Sequence, residues 1–255
     1  MASVSFDFYS FLISRSIHFE AFIPADQVFT VPPNPPYKTV YFLTGFADNA
    51  HGLIDRTRVS ELADAAGIAL IIMDGNNSFY VDANPMSRYS TFIGEDLLKI
   101  TRRLFPLSDK REDTYIAGMS MGGFGAFYNG VKHADKFSKI AMLAPGFGVY
   151  DVVVPGLDIP AFDTAFLNPL FGSKERYEEE INFNAMLDLY QKQEQKPELF
   201  MGIGESDPQV GGVCQKFMEK TKEIGLDVDY HMVPGAHDFV FLDNILPLAF
   251  DFLKK

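Results

Sequence analysis

Thr114-Tyr115-Ile116-Ala117-Gly118-Met119-Ser120-Met121-Gly122-Gly123-Phe124-Gly125-Ala126-Phe127 is the stretch on which the reading of this chain turns. It opens as an apolar run of strand length, Thr114 to Met119, and continues from Ser120 to His133 with helical character. Between the two stands Gly118-Met119-Ser120-Met121-Gly122, a G-x-S-x-G pentapeptide. Glycine and serine are common enough that such a pentapeptide arises by chance in about one chain in ten of this length. The context therefore decides. Strand, sharp turn and helix form the setting in which a serine hydroxyl is lifted above a sheet as a nucleophile. A turn that tight strains the serine backbone, and side chains two residues before and after would collide with it or with neighbouring elements. Gly118 and Gly122 remove those side chains, and Gly123 and Gly125 are expected to allow close helix–strand contact. The plainer alternative is a glycine-rich turn with a capping serine.

Outward from this turn the chain alternates. Ser3 to Phe11 and His18 to Ile23 read as a hairpin, followed by a stiff proline-rich connection at Val31 to Pro36. Strands are expected at Thr39–Leu43, Ile68–Met73, Lys139–Leu143, Glu198–Ile203 and Asp227–Val233. Helices are expected at Arg56–Ala66, Phe92–Phe105, Asn184–Glu194, Val213–Ile224 and Phe239–Lys255. Strands separated by helices imply a mostly parallel sheet with helices on both faces, and the opening hairpin implies an antiparallel edge. Residues 146–174 have irregular spacing with several Pro and Gly, and read as an excursion that could cover a pocket. The whole, residues 1–255, reads as one α/β domain.

Composition narrows the function classes. The chain has 255 residues, 47% hydrophobic, with 22 Lys and Arg against 34 Asp and Glu, a formal charge of −12. That balance argues against a nucleic-acid surface, which needs a basic face. One cysteine, Cys214, excludes an internal disulfide and a cysteine-built metal site. No run reaches the roughly 20 apolar residues that span a bilayer, and the N-terminus has no basic start before its apolar stretch. The expectation is a soluble cytoplasmic protein with no membrane partner, and a homo-oligomer is compatible with it. Phenylalanine is abundant, at 25, and tryptophan is absent.

A serine hydroxyl needs a base, and the base needs an acid to hold it. After a G-x-S-x-G elbow the acid precedes the histidine in the chain. Only His133, His231 and His237 follow Ser120. His133 ends the helix that the serine begins and reads as a surface residue there, and His231 lies inside a strand. His237 stands in Pro234-Gly235-Ala236-His237-Asp238, a loop directly after a strand, where side chains reach the top of a sheet. For the acid, the loop Glu205-Ser206-Asp207-Pro208 offers two carboxylates. Asp207 is the choice and Glu205 the competitor; an Asx turn or N-cap is the structural alternative for Asp207. The oxyanion formed on attack needs two backbone N–H donors. Met121, after the nucleophile, should supply one, and Phe46, after Gly45 in the loop following Leu43, the other.

Other motifs fail. Gly202-Ile203-Gly204 lacks the third glycine of a dinucleotide fingerprint, and no P-loop or H-E-x-x-H occurs. Glu178-Glu179-Glu180 reads as a solvated face, and Cys214 as a small buried residue on a helix.

Taken together these residues resemble a known family, the esterase D branch of the α/β-hydrolases, and within it the small tributyrin-esterase-like enzymes, with S-formylglutathione hydrolases as relatives. The resemblance runs nearly the length of the chain. It rests on Gly118–Gly125, on Ser78-Phe79-Tyr80-Val81-Asp82, on Tyr89 with Phe92-Ile93-Gly94-Glu95-Asp96-Leu97, and on Gly235-Ala236-His237-Asp238-Phe239. It implies an α/β-hydrolase fold without a large cap domain and hydrolysis of short acyl esters. The implied nucleophile is Ser120, with Asp207 as acid, His237 as base, and Met121 and Phe46 as oxyanion donors. No cofactor or metal is implied. The substrate pocket is expected to involve Gly45, Phe79, Tyr80, Phe147 and Phe239. Two departures stand out: Thr44-Gly45 replaces the family's usual His-Gly, and Phe239 replaces the commoner tryptophan. An S-formylglutathione-type thioesterase or a deacetylase of acylated sugars would share the same triad. A binding protein that kept the fold without the chemistry is the alternative of another class.

Overall fold

The computed structural model describes residues 1–26, 33–152 and 160–255. Val31 and Pro32 of the proline-rich connection, and residues 153–159 of the expected excursion, lie outside these.

Eight strands form the main sheet: β1 (Ala2–Ser10), β2 (Arg15–Ile23), β3 (Thr39–Leu43), β4 (Ala69–Met73), β5 (Thr114–Met119), β6 (Lys139–Leu143), β7 (Glu198–Gly204) and β8 (Asp229–Val233). Their order is β1-β2-β4-β3-β5-β6-β7-β8. β1 pairs antiparallel with β2, β2 antiparallel with β4, and every other pair is parallel. The antiparallel edge expected from the opening hairpin is therefore present. Every residue of β3, β4 and β6 is buried. That is why these strands read as unbroken apolar runs: a parallel strand covered on both faces has no polar side to show.

Helices close both faces. Lys139 of β6 points to one side, where its Nζ donates to the carbonyl of Phe252 in the last helix, α9 (Phe239–Lys254). The next residue, Ile140, points to the other side and packs against Gly130 of α4 (Met121–Lys132). Phe200 of β7 meets Phe252 of α9 at 5.5 Å between ring centroids.

The helix expected at Arg56–Ala66 is in fact two, α1 (Ala50–Arg56) and α2 (Val59–Ala66). Asn49 starts the first early by accepting a hydrogen bond from the Gly52 N–H, an N-cap that satisfies an orphan donor. Thr57 is extended and ends it, with its Oγ1 donating to the Leu53 carbonyl and accepting from Val59 N–H. The helix expected at Phe92–Phe105 begins at Tyr89. This helix, α3 (89–104), carries a π-helical turn at Ile93–Leu97. A short hairpin, Asp82–Asn84 with Ser87–Arg88, precedes it and had no periodic signal. Within the excursion, α5 (Thr164–Phe171) is regular helix, started by the Asp163 side chain. Three further helices complete the chain's alternation: α6 (174–181) and α7 (Phe183–Lys192) lead to β7, and α8 (Gly211–Glu223) leads to β8. No described helix is long and apolar enough to cross a membrane.

Candidate active site

Ser120 sits between β5 and α4 with φ 57° and ψ −116°, a backbone conformation that L-residues avoid. The steric argument made from the sequence can be measured. A Cβ on Gly118 would lie 2.3 Å from the Gly122 carbonyl oxygen, and one on Gly122 would lie 2.0 Å from the Leu43 carbonyl oxygen. Both obstacles are backbone, so neither can swing aside. Gly122→Ala is therefore expected to cost about 3–5 kcal/mol of stability, the upper range for a single substitution. A shift of the denaturant midpoint at unchanged slope reads this out, and a wild-type midpoint would refute it. Gly125 differs from expectation. Its missing side chain makes room for the Tyr80 ring, at 2.4 Å from a built Cβ, rather than for a strand.

The Ser120 hydroxyl is 2.8 Å from His237 Nε2, and His237 Nδ1 is 2.8 Å from Asp207 Oδ2. The structure thus brings together the three residues chosen from the sequence. His237 reaches the site from the loop after β8, where Gly235 takes φ 128° and Asp238 caps α9 by accepting from the Phe241 N–H. The two loops are tied to each other: Glu205 N–H donates to the Val233 carbonyl and Ser206 N–H to that of Gly235.

Asp207 serves two purposes on two oxygens. Oδ1 accepts from Gln209 and Val210 N–H, an Asx turn, while Oδ2 faces the imidazole. The Asx turn given as the structural alternative is present, and the same carboxylate also meets His237. Burial opposes ionisation of this carboxyl. The His237 hydrogen bond, the Val210 N–H, the His237 charge and the Gln209 N–H outweigh it and hold the group below the usual carboxylate range. Glu205, the competitor, is exposed, and among the described residues the hydrogen-bond partners of the His237 ring are Asp207 and Ser120.

The other histidines lie elsewhere. His133 is not a free surface residue: it is half-buried over Gly94, with Nε2 3.0 Å from the Ser90 carbonyl oxygen, and burial lowers its pKa. His231, on the edge strand β8, stacks on Phe200 and pairs with Asp229.

Two backbone N–H groups belong to residues beside the Ser120 hydroxyl, Phe46 and Met121. Among the described residues neither Phe46 N–H nor Met121 N–H donates to a protein acceptor. Phe46, Met121, Ser120 and His237 line one cavity of about 270 Å³ together with Phe79, Gly146, Val152, Phe162, Gln209 and Val210. Gly45 lies beside it, a built Cβ being 3.9 Å from that of Ser120.

Of the expected pocket aromatics, only Phe79 reaches this cavity. Tyr80 is wholly buried behind it, its hydroxyl donating to the Thr44 carbonyl. Phe147 points into the core against Phe127 and Phe217. Phe239 is half-buried against the edge of the core, outside the cavity, with the Arg56 guanidinium 4.8 Å over its ring. Adjacency to a site residue in sequence did not place these side chains, because successive residues leave a loop in different directions. Phe162, unremarked in the sequence, does line the site. It packs on Phe46 at 4.9 Å and on Phe79 at 5.8 Å.

Thr44, at the position where the family usually has histidine, is buried. Its Oγ1 donates to the Met73 carbonyl and accepts from the Gly75 N–H. The loop after β3 is held from its far side too, since Asn77 Oδ1 accepts from the Ala47 N–H at 2.8 Å. Asn77, Phe79 and Tyr80 all have positive φ, and strain of this kind gathers at functional loops. Asn77 has no motif of its own, so sequence reading missed it. Cys214 lies buried on α8, with its thiol pushed up by burial. Glu178, Glu179 and Glu180 are exposed, the solvated face expected.

The model of the family described as "Putative esterase" matches residues 10–242. The chain belongs to this esterase family. The esterase is also 29% identical to an acetyl esterase of Caldicellulosiruptor saccharolyticus, an alignment covering 100% of this chain and 99% of the relative. Among solved structures it resembles an S-formylglutathione hydrolase from Staphylococcus aureus, with TM-score 0.85 and 23% identity over 100% of this chain and 99% of that one. It resembles equally a fluorophosphonate-binding serine hydrolase of Staphylococcus aureus, with TM-score 0.86 and 23% identity over 100% and 98%. These two likenesses establish the α/β-hydrolase fold. The esterase D resemblance read from the sequence agrees with all of them, and the enzyme is a carboxylic ester hydrolase.

Proposed function

We propose that the esterase hydrolyses esters of short acyl groups through Ser120, His237 and Asp207. The observation that carries the reading is the unbroken hydrogen-bonded line from Ser120 Oγ through both imidazole nitrogens to Asp207, opening onto a small apolar cavity. Ser120 Oγ attacks the ester carbonyl carbon while His237 Nε2 takes its proton. The carbonyl oxygen, now an oxyanion, is held by the N–H groups of Met121 and Phe46. His237 then passes the proton to the leaving alcohol, and the acyl group remains on Ser120. Water repeats the sequence, losing its proton to His237 and releasing the acid. Asp207 stays ionised throughout, keeping the proton on Nδ1 and stabilising the imidazolium.

Cavity size supports the short acyl chain. About 270 Å³ lies below the 300–1,000 Å³ of pockets that hold drug-sized ligands. Phe46, Phe79, Val152 and Phe162 bound it. The 29%-identical relative is an acetyl esterase, which agrees with this reading. Val152 and Phe162 come from the excursion after β6, so that segment contributes a wall of the pocket.

Labelling with a fluorophosphonate tests the chemistry. One label per chain on Ser120 is expected, and none on Ser120→Ala; an unlabelled, folded wild type would sink the proposal. Parallel turnover of p-nitrophenyl esters of increasing length, S-formylglutathione and acetylated xylose tests the substrate class. Exclusive turnover of the thioester would overturn the ester reading. Phe162→Ala should enlarge the pocket. Each newly buried methylene is worth about 0.8 kcal/mol, so the kcat/KM ratio of butyrate to acetate should rise about tenfold for the two added methylenes. An unchanged ratio would place Phe162 outside the acyl path.

A further inference from the structure

Away from the triad, β2 and α1 bring together a second group of chemistry-bearing side chains. His18 and Glu20 lie two residues apart on one face of β2, and His51 lies in the first turn of α1. His18 Nε2 is 3.0 Å from Glu20 Oε1, and His51 Nε2 is 3.5 Å from the same oxygen. One ligand atom from each of the three residues lies within 4.8 Å of the others. We propose that His18, Glu20 and His51 form a binding site for a divalent transition-metal ion of the zinc type, with two imidazole nitrogens and one carboxylate oxygen as ligands and an open position for water.

The distances fit. Ligand bonds of 2.0–2.2 Å in tetrahedral arrangement separate neighbouring ligand atoms by about 3.3 Å. The two measured separations, 3.0 and 3.5 Å, fall on either side of that value. His51 is 66% exposed, so its ring has freedom to complete the set.

Two further observations point to a cation. Glu20 is 6% exposed, and among the described residues it meets no Lys or Arg; its ion-pair partners are the two imidazoles. A buried carboxylate needs positive charge beside it. In addition, His18 Nδ1 is 3.3 Å from Asp7 Oδ1, across the β1–β2 pair. With Nδ1 turned to Asp7, His18 Nε2 faces Glu20 Oε1 at 3.0 Å and has Ser5 Oγ 3.5 Å away. A carboxylate holding the far nitrogen of a ligating histidine is the arrangement that orients such rings on metals. Asp74 stands beside the group, with Oδ1 accepting from the Ala50 N–H at 2.7 Å.

None of the three residues lines the cavity at Ser120, and His51 follows Phe46 by five residues. A bound ion would pin the first turn of α1 to β2 and raise thermal stability by mass action.

The test uses the untagged full chain, stripped by a chelator and titrated with Zn²⁺ by calorimetry and Co²⁺ by visible absorption. One ion per chain is expected, with a tetrahedral-type Co²⁺ spectrum and a rise in Tm. His51→Ala, an exposed change that leaves the fold intact, and His18→Ala should each weaken binding by more than about a hundredfold, beyond what loss of an outer partner alone does. Asp7→Asn should weaken it by about tenfold, and His231→Ala should leave it unchanged. Absence of binding by the folded wild type, or binding that survives both His51→Ala and His18→Ala, would overturn the proposal.

Discussion

Ser120→Ala is expected to lower kcat by about a millionfold while leaving the fold and the pocket in place. Among the described residues, the hydroxyl is the one group of the 270 Å³ cavity that stands 2.8 Å from His237 Nε2. Its removal leaves no nucleophile and no path for an acyl-enzyme. Turnover should not fall to the rate in water. The N–H groups of Met121 and Phe46 would still face a carbonyl oxygen, and such donors together with binding sustain about 10³–10⁴-fold over the uncatalysed reaction. The alanine is also compatible with the elbow's backbone, since the strained φ of 57° already accommodates a Cβ. Steady-state kinetics on a p-nitrophenyl ester, with circular dichroism to verify the fold, reads the effect. Retention of more than about one hundredth of wild-type kcat would contradict the assignment, given the scale set by losing a nucleophile.

The second large effect belongs to Asp207→Asn, expected to cut kcat by about ten-thousandfold. The geometry dictates how. Oδ1 of residue 207 accepts two backbone N–H groups, from Gln209 and Val210, so the asparagine must keep its carbonyl oxygen there. Its NH₂ then occupies the place of Oδ2, facing His237 Nδ1. A donor at that place forces Nδ1 to be the acceptor and moves the proton to Nε2. In that tautomer the imidazole donates to Ser120 and cannot take its proton. Fluorophosphonate labelling should slow in parallel, while the Asx turn preserves the loop.

The pH dependence of stability provides a separate reading of the same residue. Asp207 has a depressed pKa in the folded enzyme, so its ionised form stabilises the fold above the unfolded value of about 4. That contribution is lost as pH falls through the lower folded value. Asp207→Asn has no such dependence, so wild type and variant should converge in stability in that acid window. If Glu205→Gln abolished turnover while Asp207→Asn spared it, the assignment of the acid would fall.

What the sequence determined by itself is what short-range chemistry encodes. The strand–turn–helix around Ser120 was legible because glycine at 118 and 122 is a local steric necessity. The backbone oxygens that demand it, those of Gly122 and Leu43, lie at 2.3 and 2.0 Å from the missing Cβ atoms. The buried strands β3, β4 and β6 were legible because full burial leaves no polar face, and His237 because a loop after a strand delivers a side chain to the sheet's upper rim. The acid and the oxyanion donors were read from their places after the elbow and the first parallel strand, and the family resemblance implied the same residues.

Only the tertiary structure decided which way neighbouring side chains turn. Glu205 and Asp207 share a loop, and the Asx turn aims one carboxylate at the histidine while the other stays in solvent. Phe79 and Tyr80 are adjacent, yet one lines the cavity and the other is sealed behind it. Phe147, expected at the pocket, is core, and Phe162, distant in sequence and without a motif, is wall. His18, Glu20 and His51 converge only because α1 docks on β2. The physical reason is common to all these cases. Periodicity and steric necessity act over a few residues, whereas a pocket or a ligand set is a meeting of side chains from separate elements, fixed by how the sheet and its helices pack.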